Sequence, residues 1–191
     1  MMRLTYQLLK RYNACELQRD EFRRLFPCGC EPTVENLTFL ANHKYEDSYG
    51  DTGLLDVFWL IRLLPEEGPG SMRAFSLWCA EQVAHLCQDQ RVADCLAVVR
   101  RRVDSPGSCT DGELAAAAGD AARAAAGADA AAWDAAWAAA RAAAGAAAGA
   151  DAAARDAADA ARAAAGADAA AWDAAWDAQL ACLSQLLLEA K

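Results

Sequence analysis

The chain has 191 residues, enough for one domain or a small domain with an extension, and 55% of them are hydrophobic, much of that alanine. Its formal net charge is −9: 13 basic and 15 acidic residues lie up to Thr110, and five basic and 12 acidic residues follow. Such an acidic second part argues against binding nucleic acid or an anionic membrane, and is compatible with a basic protein partner or with imitation of nucleic acid.

The opening stretch MMRLTYQLLKRYNACELQRDEF is charged throughout and has no apolar core of signal-peptide length. No run of about 18 large apolar residues suggests a membrane span. The eight cysteines (Cys15, Cys28, Cys30, Cys79, Cys87, Cys95, Cys109 and Cys182) are therefore read as reduced, mostly buried thiols, and the expected location is cytoplasmic.

In chain order, the spacing of Leu8, Leu9, Tyr12, Cys15, Leu17, Phe22, Leu25 and Phe26 predicts a helix that Pro27 and CGCEPT stop. PTVENLTFLANH predicts a second helix, with Thr33 as cap and Glu35 in its first turn. KYEDSYGDTG reads as a loop. LLDVFWLIRLLP is the most apolar run; its Leu content and the face Leu55, Phe58, Trp59, Arg62, Leu63 favour a helix ending at Pro65. After the turn PEEGPGS, the segment SMRAFSLWCAEQVAHLCQ presents Phe75, Trp78, Cys79, Val83, Leu86 and Cys87 on one side. RVADCLAVVRRRVD continues the helical pattern until SPGSCTDGEL breaks it, and Thr110 with Glu113 has capping-box spacing. No alternating β pattern is sustained, so the fold class is all-α.

From Gly119 the pattern changes. AARAAAGADAAAWDAAWA at 121–138 recurs at 160–177, identical in 17 of 18 positions at an offset of 39 residues. Gly119, Arg123, Gly127, Trp133, Trp137, Arg141, Gly145, Gly149, Arg155, Asp159, Arg162, Gly166, Trp172 and Trp176 mark one stripe, with Ala130, Ala152 and Ala169 filling the missing beats. The 57 residues from 119 to 176 divide into 16 steps, which is the α-helical period. The other faces are almost pure alanine, the strongest helix former, and such faces let helices approach closely. The expected architecture is an N-terminal helical bundle over 1–109, then an alanine-rich helical segment over 110–191. That segment is expected to form a long hairpin turning near 149, where Gly149 can end one arm and Asp151 can cap the next. The same GAD chemistry at Gly127 and Gly166 leaves open four shorter helices, and the unbroken phase leaves open a single rod.

Several constellations invite chemical readings. Cys28-Gly29-Cys30 is one tight thiol pair without the second pair that a zinc site needs, so it reads as thiols in a turn. Cys79, Cys87 and Cys95 read as core thiols, and His85 beside them as a packed histidine. His43 with Glu46, Asp47 and Asp51 could build a hydrolytic or metal site, but a solvated acidic loop explains it more simply. There is no phosphate-binding glycine loop, nucleophile elbow or HExxH pattern. No catalytic residue, metal or cofactor is expected. Trp133 and Trp137, Trp172 and Trp176 sit one turn apart, with Arg141 a turn after the first pair and Asp134 and Asp173 alongside. They are the candidate partner-binding residues, because exposed Trp and Arg dominate protein interfaces. Alternatively, the tryptophans dock on neighbouring helices as core.

The stretches NACELQRDEFRRLFP, FWLIRLLP, AFSLWCAEQVAHL, RVADCLAVVRRRVD and CTDGELAAA, leading into Ala/Trp/Asp/Arg repeats, resemble the alanine-rich, uncharacterised proteins of bacteria and their phages, some of which are labelled as immunity proteins. The resemblance covers most of the chain. It implies a non-enzymatic protein that binds and neutralises a toxin or other effector, and brings no catalytic residues. The chain departs from the group in its many cysteines and in its GAD interruptions. The expected function is thus a protein-interaction module acting as an inhibitor through an acidic helical surface. The alternative is a phage anti-defence factor, either a nucleic-acid mimic using Asp120, Asp134, Asp156 and Asp173 or a nucleotide trap using Arg100 to Arg102.

Overall fold

The structure, a computed structural model, describes residues 2–45, 53–55, 57–65, 71–126, 128–147, 156, 159–164 and 172–189. The protein is all-α: among the described residues the one β pairing is an isolated bridge between Leu4 and Cys30. No helix among them is long and apolar enough to cross a membrane. The chain forms two compact units, one of Met1–Leu64 with Leu180–Lys191 and one of Pro65–Gln179.

In the first unit, the stretch expected as one helix is two, α1 (Tyr6–Arg11) and α2 (Glu16–Leu25). The break is made by Asn13 in the left-handed region (φ 58°) and by Cys15, whose thiol accepts from the Gln18 N–H at 3.4 Å while Gln18 Oε1 accepts from the Cys15 N–H at 3.1 Å. This is a capping box with sulfur in place of the hydroxyl. Helix α3 (Val34–Asn42) opens as expected, with Thr33 Oγ1 accepting from Asn36 N–H at 3.3 Å. The apolar run forms only a short helix, α4 (Val57–Leu60), tightening into a 3₁₀ turn at Ile61–Leu63. Pro65 follows two residues later and could not donate to a continued helix. Leu4, Leu9, Phe22, Leu37, Leu40, Leu60 and Ile61 are fully buried, and Leu180, Leu183 and Leu187 of the last helix are buried in this unit too. Ser184 there donates to the Pro32 carbonyl at 2.7 Å.

The second unit contains α5 (Met72–Val83), α6 (Gln90–Asp104), α7 (Asp111–Ala125) and α8 (Ala130–Ala147). The last helix, α9 (Trp172–Glu189), contributes its first residues here and the rest to the first unit. The expected capping box is formed: Thr110 Oγ1 accepts from Glu113 N–H at 3.1 Å, and Glu113 Oε2 accepts from Thr110 N–H at 2.7 Å. Helix α8 packs against α5, α6 and α7. Its Ala135, Ala136, Ala138, Ala139, Ala142, Ala143 and Ala146 have essentially no exposed surface. Methyl-only faces bring neighbouring side chains onto the α8 backbone: Cys95 Sγ reaches the Ala139 carbonyl at 3.4 Å, and the buried Arg73 donates from Nε to the Gly145 carbonyl at 3.4 Å.

The alanine-rich segment is not one rod. Helix α7 ends at Ala125 and α8 begins at Ala130, with Asp129 Oδ1 accepting from Ala132 N–H at 2.9 Å as the new cap. The helix therefore breaks between Ala125 and Ala130, where Gly127 itself lies outside the described residues, and α7 and α8 lie along each other. The expected turn near 149, with Gly149 and Asp151, lies outside the described residues, as does Gly166. The expected boundary at 109 and 110 falls within the second unit, where α6 and α7 pack together.

Candidate functional site

Helix α8 carries its large side chains on the side away from the alanine seam. Residues 133, 137 and 141 are one turn apart, and helical side chains lean back toward the preceding turn, so each lies over the one before it. The indoles of Trp133 and Trp137 stack with ring centroids 5.6 Å apart and planes 15° from parallel. The Arg141 guanidinium sits 5.0 Å from the Trp137 ring centroid, within cation–π range. Beyond it, Arg141 Nη1 is 3.2 Å from Asp156 Oδ1 and 3.9 Å from Asp159 Oδ2, and Arg162 holds the other Asp159 oxygen at 2.8 Å. The result is a ladder of indole, indole, guanidinium and carboxylates.

The ladder is graded in exposure. Trp133 is 44% exposed, whereas Trp137 and Arg141 are half-buried, and the Asp156 side chain is only 17% accessible. Asp134 is half-buried next to Trp133, and burial raises its carboxyl pKa above the ordinary aspartate value. The structure thus brings Trp133, Asp134, Trp137 and Arg141 together on α8. Trp176 is half-buried on α9. Trp172 and Asp173 lie in the same helix, but their side chains are outside what is described. Sequence reasoning did not single out Asp156 and Asp159 as partners of Arg141, since pairing across 15 to 18 residues depends on tertiary packing.

The other candidates separate cleanly. His43 Nε2 lies 2.8 Å from Glu21 Oε1 and its ring stacks on Phe39 at 5.2 Å, so α2 and α3 hold it. Glu46, Asp47 and Asp51 lie outside the described residues. The Cys28-Gly29-Cys30 turn is closed by the bridge to Leu4 and by Arg3, which donates to the Cys28 and Gly29 carbonyls at 3.1 Å each. Cys79, Cys87 and Cys95 are buried. No three His, Cys, Asp or Glu among the described residues are grouped as a metal would need.

The three consecutive arginines diverge. Arg100 pairs with Glu81, Arg101 with Glu113 at 4.0 Å, and Arg102 with Asp111 at 3.4 Å. A cleft of about 270 Å³ between α6 and α7 contains Arg91 and Arg101, but also Asp94, Glu113 and Asp120. Among the four spaced aspartates, Asp120 pairs with Arg123 and Asp156 with Arg141.

Compared with known proteins, the chain matches no family model, no curated protein and no solved structure.

Proposed function

We propose that this protein is a non-enzymatic interaction module of the immunity or inhibitor type, binding a basic toxin or effector through the acidic, tryptophan-bearing face of α8. The observation that carries this reading is the Trp133–Trp137–Arg141 stack, braced at one end by Asp156 and Asp159 and open at Trp133. An indole held rigid by its neighbours loses little entropy on binding, and Trp and Arg supply most of the energy at protein interfaces. An acidic surface also speeds encounter with a basic partner and rejects acidic ones. The ion pairs of Asp120 and Asp156 favour this reading over a nucleic-acid mimic, which needs carboxylates free to face a cationic groove. The divergence of Arg100, Arg101 and Arg102 likewise favours it over a nucleotide trap.

The test is co-purification from the native host, followed by binding measurements on the captured partner. Trp133→Ala should weaken that complex by about 2 kcal/mol, roughly thirtyfold in Kd, with the helical circular dichroism unchanged. Trp137→Ala should weaken it too. Undiminished binding by both variants overturns the assignment of this face.

A further inference from the structure

One end of the ladder already displays a complete recognition unit. Arg141 lies between the Trp137 indole, 5.0 Å to the centroid, and the Asp156 carboxylate at 3.2 Å. The other end offers the same two kinds of group, an indole stacked on its neighbour and, by helical spacing, a carboxylate one turn before it. The exposed Trp133 has Trp137 stacked on it on one side, and one turn earlier on the helix stands Asp129. Asp129 uses Oδ1 to cap α8 and is exposed. No cation–π contact to Trp133 is formed among the described residues, and the nearest arginine in the preceding helix, Arg123, is paired with Asp120. We infer that the outer face of Trp133, with Asp129 opposite, is the seat of an arginine side chain from the partner, extending the ladder to guanidinium–indole–indole–guanidinium.

The chemistry selects arginine over other cations. A planar guanidinium stacks on an indole and can donate in-plane to a carboxylate at the same time, as Arg141 does here, whereas an ammonium is a hydrated point charge without a stacking face. The positive end of the α8 dipole opposes a cation at this position; the full negative charge of Asp129 and the neighbouring Asp134 offset it. The inference rests on the proposed role of this face and adds the identity of the group it receives.

The experiment titrates the full chain with hexaarginine, hexalysine and the uncharged isostere hexacitrulline by calorimetry at physiological salt. Hexaarginine should bind more tightly than hexalysine, and hexacitrulline should not bind. Trp133→Leu, which removes the aromatic face without changing charge, should weaken hexaarginine about two- to fivefold and erase its advantage over hexalysine, and Trp133→Phe should restore part of both. Asp129→Asn keeps a good helix cap while deleting the charge, and should weaken hexaarginine but leave helicity intact. Equal hexaarginine affinity in the wild type and Trp133→Leu overturns the seat while leaving an acidic binding surface standing. Absence of binding by any cationic peptide overturns that surface as well.

Discussion

At Gly29 the backbone turns through φ 75°, and a Cβ built there would lie 2.4 Å from the Leu4 carbonyl oxygen. Two separate costs therefore follow from any side chain at this position: the left-handed conformation and a collision with the Leu4 backbone that the turn closes against. Gly107 isolates the first of them, since its φ is 93° but nothing lies within 4 Å of its Cβ position. Gly107→Ala should cost about 1 kcal/mol, and Gly29→Ala about 3 kcal/mol, read as urea midpoints at constant slope. Equal losses would show that Leu4 yields freely. The CGC motif was legible as a turn from its own residues, but its closing partner was not, because Leu4 is 26 positions away from Cys30 and carries no signal of its own.

Among the helices, α8 shows both what the sequence contains and what it withholds. The 3.6-residue stripe placed Trp133, Trp137 and Arg141 on one face, and they are there. The caps at Thr33 and Thr110 were readable because hydroxyl capping has a familiar pattern, while the Cys15 cap was hidden by its sulfur. Alanine, however, occupies every remaining face, so periodicity alone could not say which of them would meet α5, α6 and α7. The structure answers with a seam centred on Ala135, Ala139, Ala142 and Ala146. In such a seam the backbones are as close as methyl groups allow, and added volume must push helices apart. Ala139→Leu should destabilise by about 1–3 kcal/mol. Ala115→Leu, on the exposed side of α7, should change stability by less than about 0.5 kcal/mol. Thermal denaturation of the two variants against the parent decides it, and tolerance of Ala139→Leu would mean that the seam is loosely packed.

For the molecule as a whole, the fold class was legible because helix propensity, spacing and caps agree throughout. The grouping into units was not, because α9 is one continuous helix whose residues up to Gln179 and from Leu180 onward belong to different units. Both units carry groups that tie their stability to pH. Hydrogen bonds from Arg24 and then from His43 hold the Glu21 carboxyl down to about 2, against 4.5 for the free group. Protons are therefore taken up more readily by the unfolded chain, and the stabilisation from Glu21 is complete above its unfolded value and lost as pH falls from about 4.5 toward 2. At the other limit, burial pushes the Cys30 and Cys182 thiols up to about 11 and Cys95 up to about 12, against 9.0 when free. Here the folded state holds the proton longer, so stability is complete below about 9 and declines as pH rises toward 12. Urea midpoints should thus be flat from about pH 5 to 9 and fall on both sides. Glu21→Gln should flatten the acid limb of the first unit without touching the alkaline limb. Cys95→Ala should do the reverse in the second unit, where a small residue replaces the thiol beneath the Ala139 carbonyl. An alkaline limb of unchanged depth in Cys95→Ala would show that this thiol ionises without opening the helices packed around it.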